Sequence, residues 1–233
     1  MVALQTSCWA DAQLPVGYEV NSVRGVSSRV EPNKVRRRSA EERRGEILET
    51  ACQLALSDGL DTLTLRGVAD ALGITGGLVG HYFPSVDGML AEAFGSVASA
   101  EVDDVFDAVN RFDEPVEKLR CLLHLMLSDD RDRIHLLWLD AWHAGRRRPL
   151  LRSEVAVQMA TWIDRVRGLI EDGQAAGVFT TSDASASAMR VLAIVDGITV
   201  QAVMRDSIDY QTVKELVFVV AEQELGLAPR TLA

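Results

Sequence analysis

The sequence is poor in the features that mark several protein classes. It holds three cysteines, Cys8, Cys52 and Cys121, in 233 residues. They are far apart and odd in number, so they form neither a disulfide framework nor a metal-ligand spacing, and they suit a reducing cytosol. No run of about 18 apolar residues occurs, which gives no transmembrane helix. The most apolar late stretch, 189–204, is interrupted by Arg190, Asp196 and Gly197. The first 23 residues hold no Lys or Arg, so the charged start of a secretory signal is missing. No alternating strand pattern, internal repeat or low-complexity tract is found. His124, His135 and His143 show no i, i+4 pair and no neighbouring cysteine, which argues against a metal site. With Asp140 they form no recognisable catalytic spacing either, so neither an enzyme nor a cofactor is expected.

What the chain does have is a helical pattern and an uneven charge. Its composition is 48% hydrophobic, ample for a buried core. The net charge of −10 is shared unequally: residues 1–33 and 34–90 each sum to −1, and 91–233 to −8. Positive charge gathers at Lys34, Arg36, Arg37, Arg38, Arg43 and Arg44. One end is locally basic and the rest acidic, as suits a protein that touches phosphate at one end only.

Residues 1–33 are aperiodic and carry Pro15, Gly17, Gly25 and Pro32, which reads as a disordered leader. Ser39 with Glu42 is a capping-box signature, and Ile47, Ala51, Leu54 and Ala55 continue it at helical spacing up to Gly59. Thr64 is an N-cap for a short helix with Leu65, Val68, Ala69 and Leu72 on one face, closed by Gly73. Thr75 caps a third helix, Pro84 breaks it, and Ser85 or Asp87 opens a longer one toward Val109. Further helices are expected from Asp113 or Pro115 to about Leu127 and over Arg131–Gly145. Others run from Pro149 to near Gly173–Gly177, from Ser182 or Asp183 to about Arg205, and from Asp209 to Glu224. Three short helices joined by a glycine-containing turn match a helix-turn-helix. Val79 and Phe83, four apart, should face inward and leave Thr75, Gly76, Gly77, Leu78, His81 and Tyr82 outside or at the rim.

The segment from Thr64 to Leu90, above all the run His81-Tyr82-Phe83-Pro84-Ser85, resembles the amino-terminal signature of the TetR family of transcriptional regulators. Trp138-Leu-Asp-Ala-Trp142, followed by Arg146, Arg147, Arg148 and Pro149, resembles the BetI-like branch. The resemblance implies an all-α protein of about nine helices. A helix-turn-helix domain over 34–88 would precede an effector-binding and dimerisation bundle over 89–233.

It further implies a cytoplasmic homodimer that binds a palindromic double-stranded DNA operator and is released by a small-molecule effector. Thr64, His81 and Tyr82 would hold phosphates, and Thr75 would contact phosphate or a base edge. Arg66, Arg43 and Arg44 would reach the backbone, Gly76 and Gly77 would admit close approach, and Leu78 would meet a thymine methyl. Relatives often carry Lys where Gly76 and Val86 stand and an aromatic where Gly80 stands. The basic arm Lys34, Arg36, Arg37 and Arg38 is the candidate compensation.

Met126, Trp138, Trp142, Met159 and Trp162 are candidates for an effector pocket, although their helical spacing also fits plain core. Asp140 lies between two tryptophans but on a different helical face, which argues against an aromatic–carboxylate cation site built from these three. Arg146, Arg147 and Arg148 read as a solvated helix end. Val191, Leu192, Val195 and Ile198, with Val213, Leu216, Val217 and Val220, are expected in a four-helix dimer interface. The alternative function is a helical ligand-binding or interaction module without sequence-specific DNA binding.

Overall fold

The structure, a computed structural model, describes residues 39–202 and 209–233. The expected leader 1–33 and the arm at Lys34, Arg36, Arg37 and Arg38 lie outside the described residues. Within them α1 (Ala40–Asp58), α2 (Leu65–Leu72) and α3 (Gly76–Tyr82) form a head. The body consists of α4 (Val86–Val109), α5 (Pro115–Met126), α6 (Asp132–Gly145), α7 (Pro149–Ala175), α8 (Ala184–Ala202) and α9 (Tyr210–Leu225). No strand occurs among the described residues.

Local chemistry sets most of the helix starts. Ser39 Oγ accepts the Glu42 N–H at 3.0 Å and Glu42 Oε2 accepts the Ser39 N–H at 2.7 Å, a reciprocal cap that satisfies two otherwise orphaned donors. Asp183 and Asp209 cap α8 and α9 through the Ala186 and Thr212 N–H groups, at 2.9 and 3.3 Å. α5 starts on Pro115 after Glu114, with no side-chain cap, so Asp113 is not its cap. Gly73 closes α2 at φ 64°, a left-handed conformation that a side chain would disfavour.

Packing joins head and body through α4, which lies against both α1 and α7. One apolar core runs from Ile47 and Phe83 in the head through Phe94 and Val105 to Leu225 and Leu232. A boundary at 88/89 therefore falls inside the first turn of α4, a helix that serves both parts. α7 carries α6 on one side and α8 on another, and α9 packs on α8.

The expected dimer face needs correction. Val191, Leu192, Val195, Ile198 and Val217 are each at most 8% exposed in the single chain. They fill the core of the chain itself. Val213 and Val220 are half-buried, and Leu216 is exposed. The apolar side chains left outward on these helices are Met189 and Val200 on α8, and Leu216 and Val219 on α9. Periodicity found the apolar faces correctly, but the body claimed them. Arg148 also departs from a solvated helix end, because it pairs with Asp87 at the start of α4.

Candidate functional site

The head is built so that one face of α3 is fixed inside. Val79 is fully buried and Phe83 is 2% exposed. Burying a side chain of this size stabilises by about 1.5–3 kcal/mol. Thr75, Gly76, Gly77 and His81 are then left exposed, with Leu78 and Tyr82 half-buried at the rim. The His81 and Tyr82 rings meet edge-on at 5.2 Å. Thr64 accepts the Gly67 N–H at 2.9 Å and Thr75 accepts the Leu78 N–H at 3.3 Å. Each hydroxyl keeps its own O–H to donate. A Cβ added at Gly76, Gly77 or Gly80 would meet nothing within 4 Å, so the space in front of α3 is open.

The cations expected beside this face divide. Arg66 is exposed and stands 3.7 Å from Asp70. Arg43 pairs with Glu46 at 2.6 Å. Arg44 pairs with Glu92 at 2.5 Å and lies over the Phe83 ring, 4.7 Å from its centroid. Arg44 thus ties α1 to α4 and to the end of α3, a structural duty that spacing did not reveal.

The second feature is a cavity of about 120 Å³ between α4, α6, α7 and α8. Met126, Trp138, Trp142, Met159 and Trp162, the five sequence candidates, all line it. The Trp138 and Trp142 rings are 5.6 Å apart, and Trp138 stands edge-on to Phe94 at 4.9 Å. Sequence reading missed the acids. Glu101 from α4 and Asp196 from α8 also face the cavity. The Glu101 side chain is 8% exposed and pairs with Arg131. It also accepts the Trp138 indole N–H at 2.8 Å. Burial still pushes its carboxyl above the usual range. Asp196 has no ion-pair partner among the described residues, and burial, with the nearby Glu101 charge, pushes it up to about 6. Asp140 lies away from the cavity and accepts the Leu60 N–H at 3.0 Å, as its helical face implied.

Two sequence families match successive parts of the chain. The amino-terminal model, "Bacterial regulatory proteins, tetR family", matches residues 47–93. The model of the BetI-type transcriptional repressor C-terminal domain matches residues 115–226. The chain belongs to the TetR family. It is a BetI-like TetR regulator, a DNA-binding transcriptional regulator and not an enzyme.

Solved structures with the TetR fold agree in architecture. A transcriptional regulator from Saccharomonospora viridis, in complex with choline, is 24% identical with a TM-score of 0.68, covering 79% of this chain and 98% of that one. A TetR regulator from Haloarcula marismortui is 22% identical with a TM-score of 0.68, covering 79% and 99%. A TetR-family regulator from a Rhodococcus species is 20% identical with a TM-score of 0.66, again covering 79% and 99%. A comparison with curated protein sequences gives no match.

In this TetR-family regulator, the signal that could have found Glu101 and Asp196 was weak. Glu101 is one of several acids on its helix, with Asp103, Asp104 and Asp107 just after it, and Asp196 is a lone acid in an apolar stretch. Only the crossing of α4, α6 and α8 brings them to one cavity.

Proposed function

We propose that the chain is a homodimeric repressor whose α3 enters the major groove of a palindromic operator, and that an organic cation bound in the body releases it. The observation that carries the DNA reading is the orientation of α3. Val79 and Phe83 anchor it while Thr75, Gly76, Gly77 and His81 are exposed and Leu78 stands at the rim. Thr64, Arg66 and Tyr82 flank that face and would hold phosphates. Two such helices reach successive major grooves when set about 34–36 Å apart.

The homodimer would form through the outward side chains Met189 and Val200 of α8, with Leu216 and Val219 of α9. The regulator would act in the cytoplasm, which the free thiols of Cys52 and Cys121 suit. No helix among the described residues is long and apolar enough to cross a membrane.

The effector class follows from the cavity. Three tryptophans supply π faces, and Asp196 supplies a carboxylate that no cation among the described residues pairs with. Glu101 already has Arg131, so the charge left to balance is on Asp196. An organic cation satisfies both by cation–π attraction and ion pairing in a desolvated space. The similar Saccharomonospora regulator binds choline, which makes a small ammonium compound the first one to try.

The effector weakens repression only to the extent that it binds the DNA-competent and released states unequally. The test recovers an operator from a random duplex library and titrates the complex with choline, tetramethylammonium and the uncharged analogue 3,3-dimethylbutan-1-ol. Release by the two cations and not by the neutral analogue is expected. Failure to select any sequence would remove the DNA reading, and equal effect of the neutral analogue would remove the cation reading.

A further inference from the structure

Helix α6 has the cavity on one side and the DNA-binding head on the other. With about 3.6 residues per turn, Trp138 and Trp142 share a face, and Asp140, two residues from each, lies roughly opposite. Both tryptophans line the cavity. Asp140 Oδ2 accepts the backbone N–H of Leu60 at 3.0 Å. Leu60 is fully buried and begins the short 3-10 turn Leu60–Thr62, which links α1 to α2.

The head is shaped to receive this carboxylate. Gly59 takes φ 98°, and a Cβ there would lie 3.2 Å from Asp140 Oδ2. A side chain at Gly59 would thus be strained by its backbone and would crowd the acceptor. Two other side-chain ties from the head reach α4 instead: Arg44 reaches Glu92, and Cys52 Sγ donates to the Ala93 carbonyl.

We infer that Asp140 is a positioning residue that transmits the state of the effector cavity to the DNA-binding head. This rests on the reading of the cavity as the effector site. A ligand that displaces Trp138 and Trp142 moves α6 as a rigid element. Asp140 then pulls on Leu60, four residues before the Thr64 cap of α2, and the head changes its angle. α6 is the element whose two positions both sites bias. Coupling of this kind is reciprocal, so DNA on the head must also be felt at α6.

The experiment uses the full chain, the selected operator duplex, and the Asp140→Ala and Asp140→Asn variants. Hydrogen exchange is followed in peptides covering 59–83 and 132–145 with and without operator. In the parent protein operator binding changes exchange in both segments. In Asp140→Ala the change persists at 59–83 and is lost at 132–145. A second arm measures operator affinity with and without saturating tetramethylammonium. The variant keeps its affinity for tetramethylammonium within about twofold, because Asp140 lies outside the cavity, while the ratio of operator affinities falls at least about fivefold toward one.

A merely structural role would lower the melting temperature and leave both the exchange pattern and the ratio unaltered. That result overturns the inference, as does a parent protein whose 132–145 segment ignores operator. Should tetramethylammonium fail to bind the parent protein, the cavity reading falls, and the exchange arm still decides the relay. Asp140→Asn keeps an acceptor without the charge. It restores part of the coupling, and if the alanine variant does not fold it is compared with the parent protein instead, with a smaller loss in both arms expected.

Discussion

Trp138 donates its indole N–H to Glu101 at 2.8 Å, and through that bond α6 is held to α4, the long helix that begins immediately after the recognition segment. Glu101 has Arg131 as its counter-ion, so the bond closes a buried network of three side chains. Trp138→Phe keeps the ring against Phe94 but leaves a desolvated carboxylate oxygen without its donor. A loss of about 1–3 kcal/mol is expected, read as a lower urea midpoint at unchanged slope. No loss would mean that Arg131 alone satisfies the acid.

Asp196 makes the cavity sensitive to pH. Its carboxyl is raised from 3.8 to about 6 by burial and by Glu101. The folded state therefore binds this proton more tightly than the unfolded chain. The group's contribution to stability is greatest below its unfolded value and declines as pH rises through about 6. A cation needs the ionised form, so ammonium affinity should climb between about pH 5 and about pH 7 and then level off. Calorimetry of tetramethylammonium binding across that range checks this. Asp196→Asn should flatten the profile and weaken binding at least about tenfold, a cost of about 1.4 kcal/mol.

Phe83 lies beneath the recognition helix and the Arg44 guanidinium. Phe83→Ala should cost about 3–5 kcal/mol, because a large ring leaves a cavity that the short head cannot close. Operator binding should disappear in a gel-shift assay while tetramethylammonium still binds the body. Retained operator affinity would show that α3 is held by something other than this anchor.

Gly76 faces open space at the front of α3. Gly76→Lys should add one phosphate contact, raising affinity for any duplex and steepening the salt dependence by about one unit of log–log slope. Fluorescence anisotropy at several salt concentrations measures it. An unchanged slope would place Gly76 away from the DNA backbone.

Leu216 and Val219 are 48% and 46% exposed on α9. The double variant Leu216→Glu, Val219→Glu should yield a monomer by light scattering and abolish binding to a two-half-site operator. A dimer that survives both charges would move the interface to another surface.

Helix positions were legible in the sequence because short-range chemistry sets them. Ser39 with Glu42, Thr64, Thr75 and Ser85 each cap the helix that follows, and Gly73 closes α2. The inward turn of Val79 and Phe83 was legible for the same reason, since a helix this short has one face to bury. The five cavity candidates were also found, as large apolar residues on helices that had to pack.

Relations between distant helices were not legible. Val195 and Leu216 carry the same pattern of apolar spacing, yet one is in the core and the other faces out. Periodicity states that a face is apolar and does not state what covers it. Arg43 and Arg44 read as free cations until the fold brought Glu92 to one and the helix register gave Glu46 to the other.

The sequence by itself determined where most of the described helices begin and which way the recognition segment turns, because those depend on residues within one or two turns of each other. Tertiary structure decided the rest: the carboxylates that meet the tryptophans, the acceptor for Leu60, and the side of α8 and α9 left uncovered. Each of these joins residues far apart in the chain, and burial and electrostatics act on distance in space.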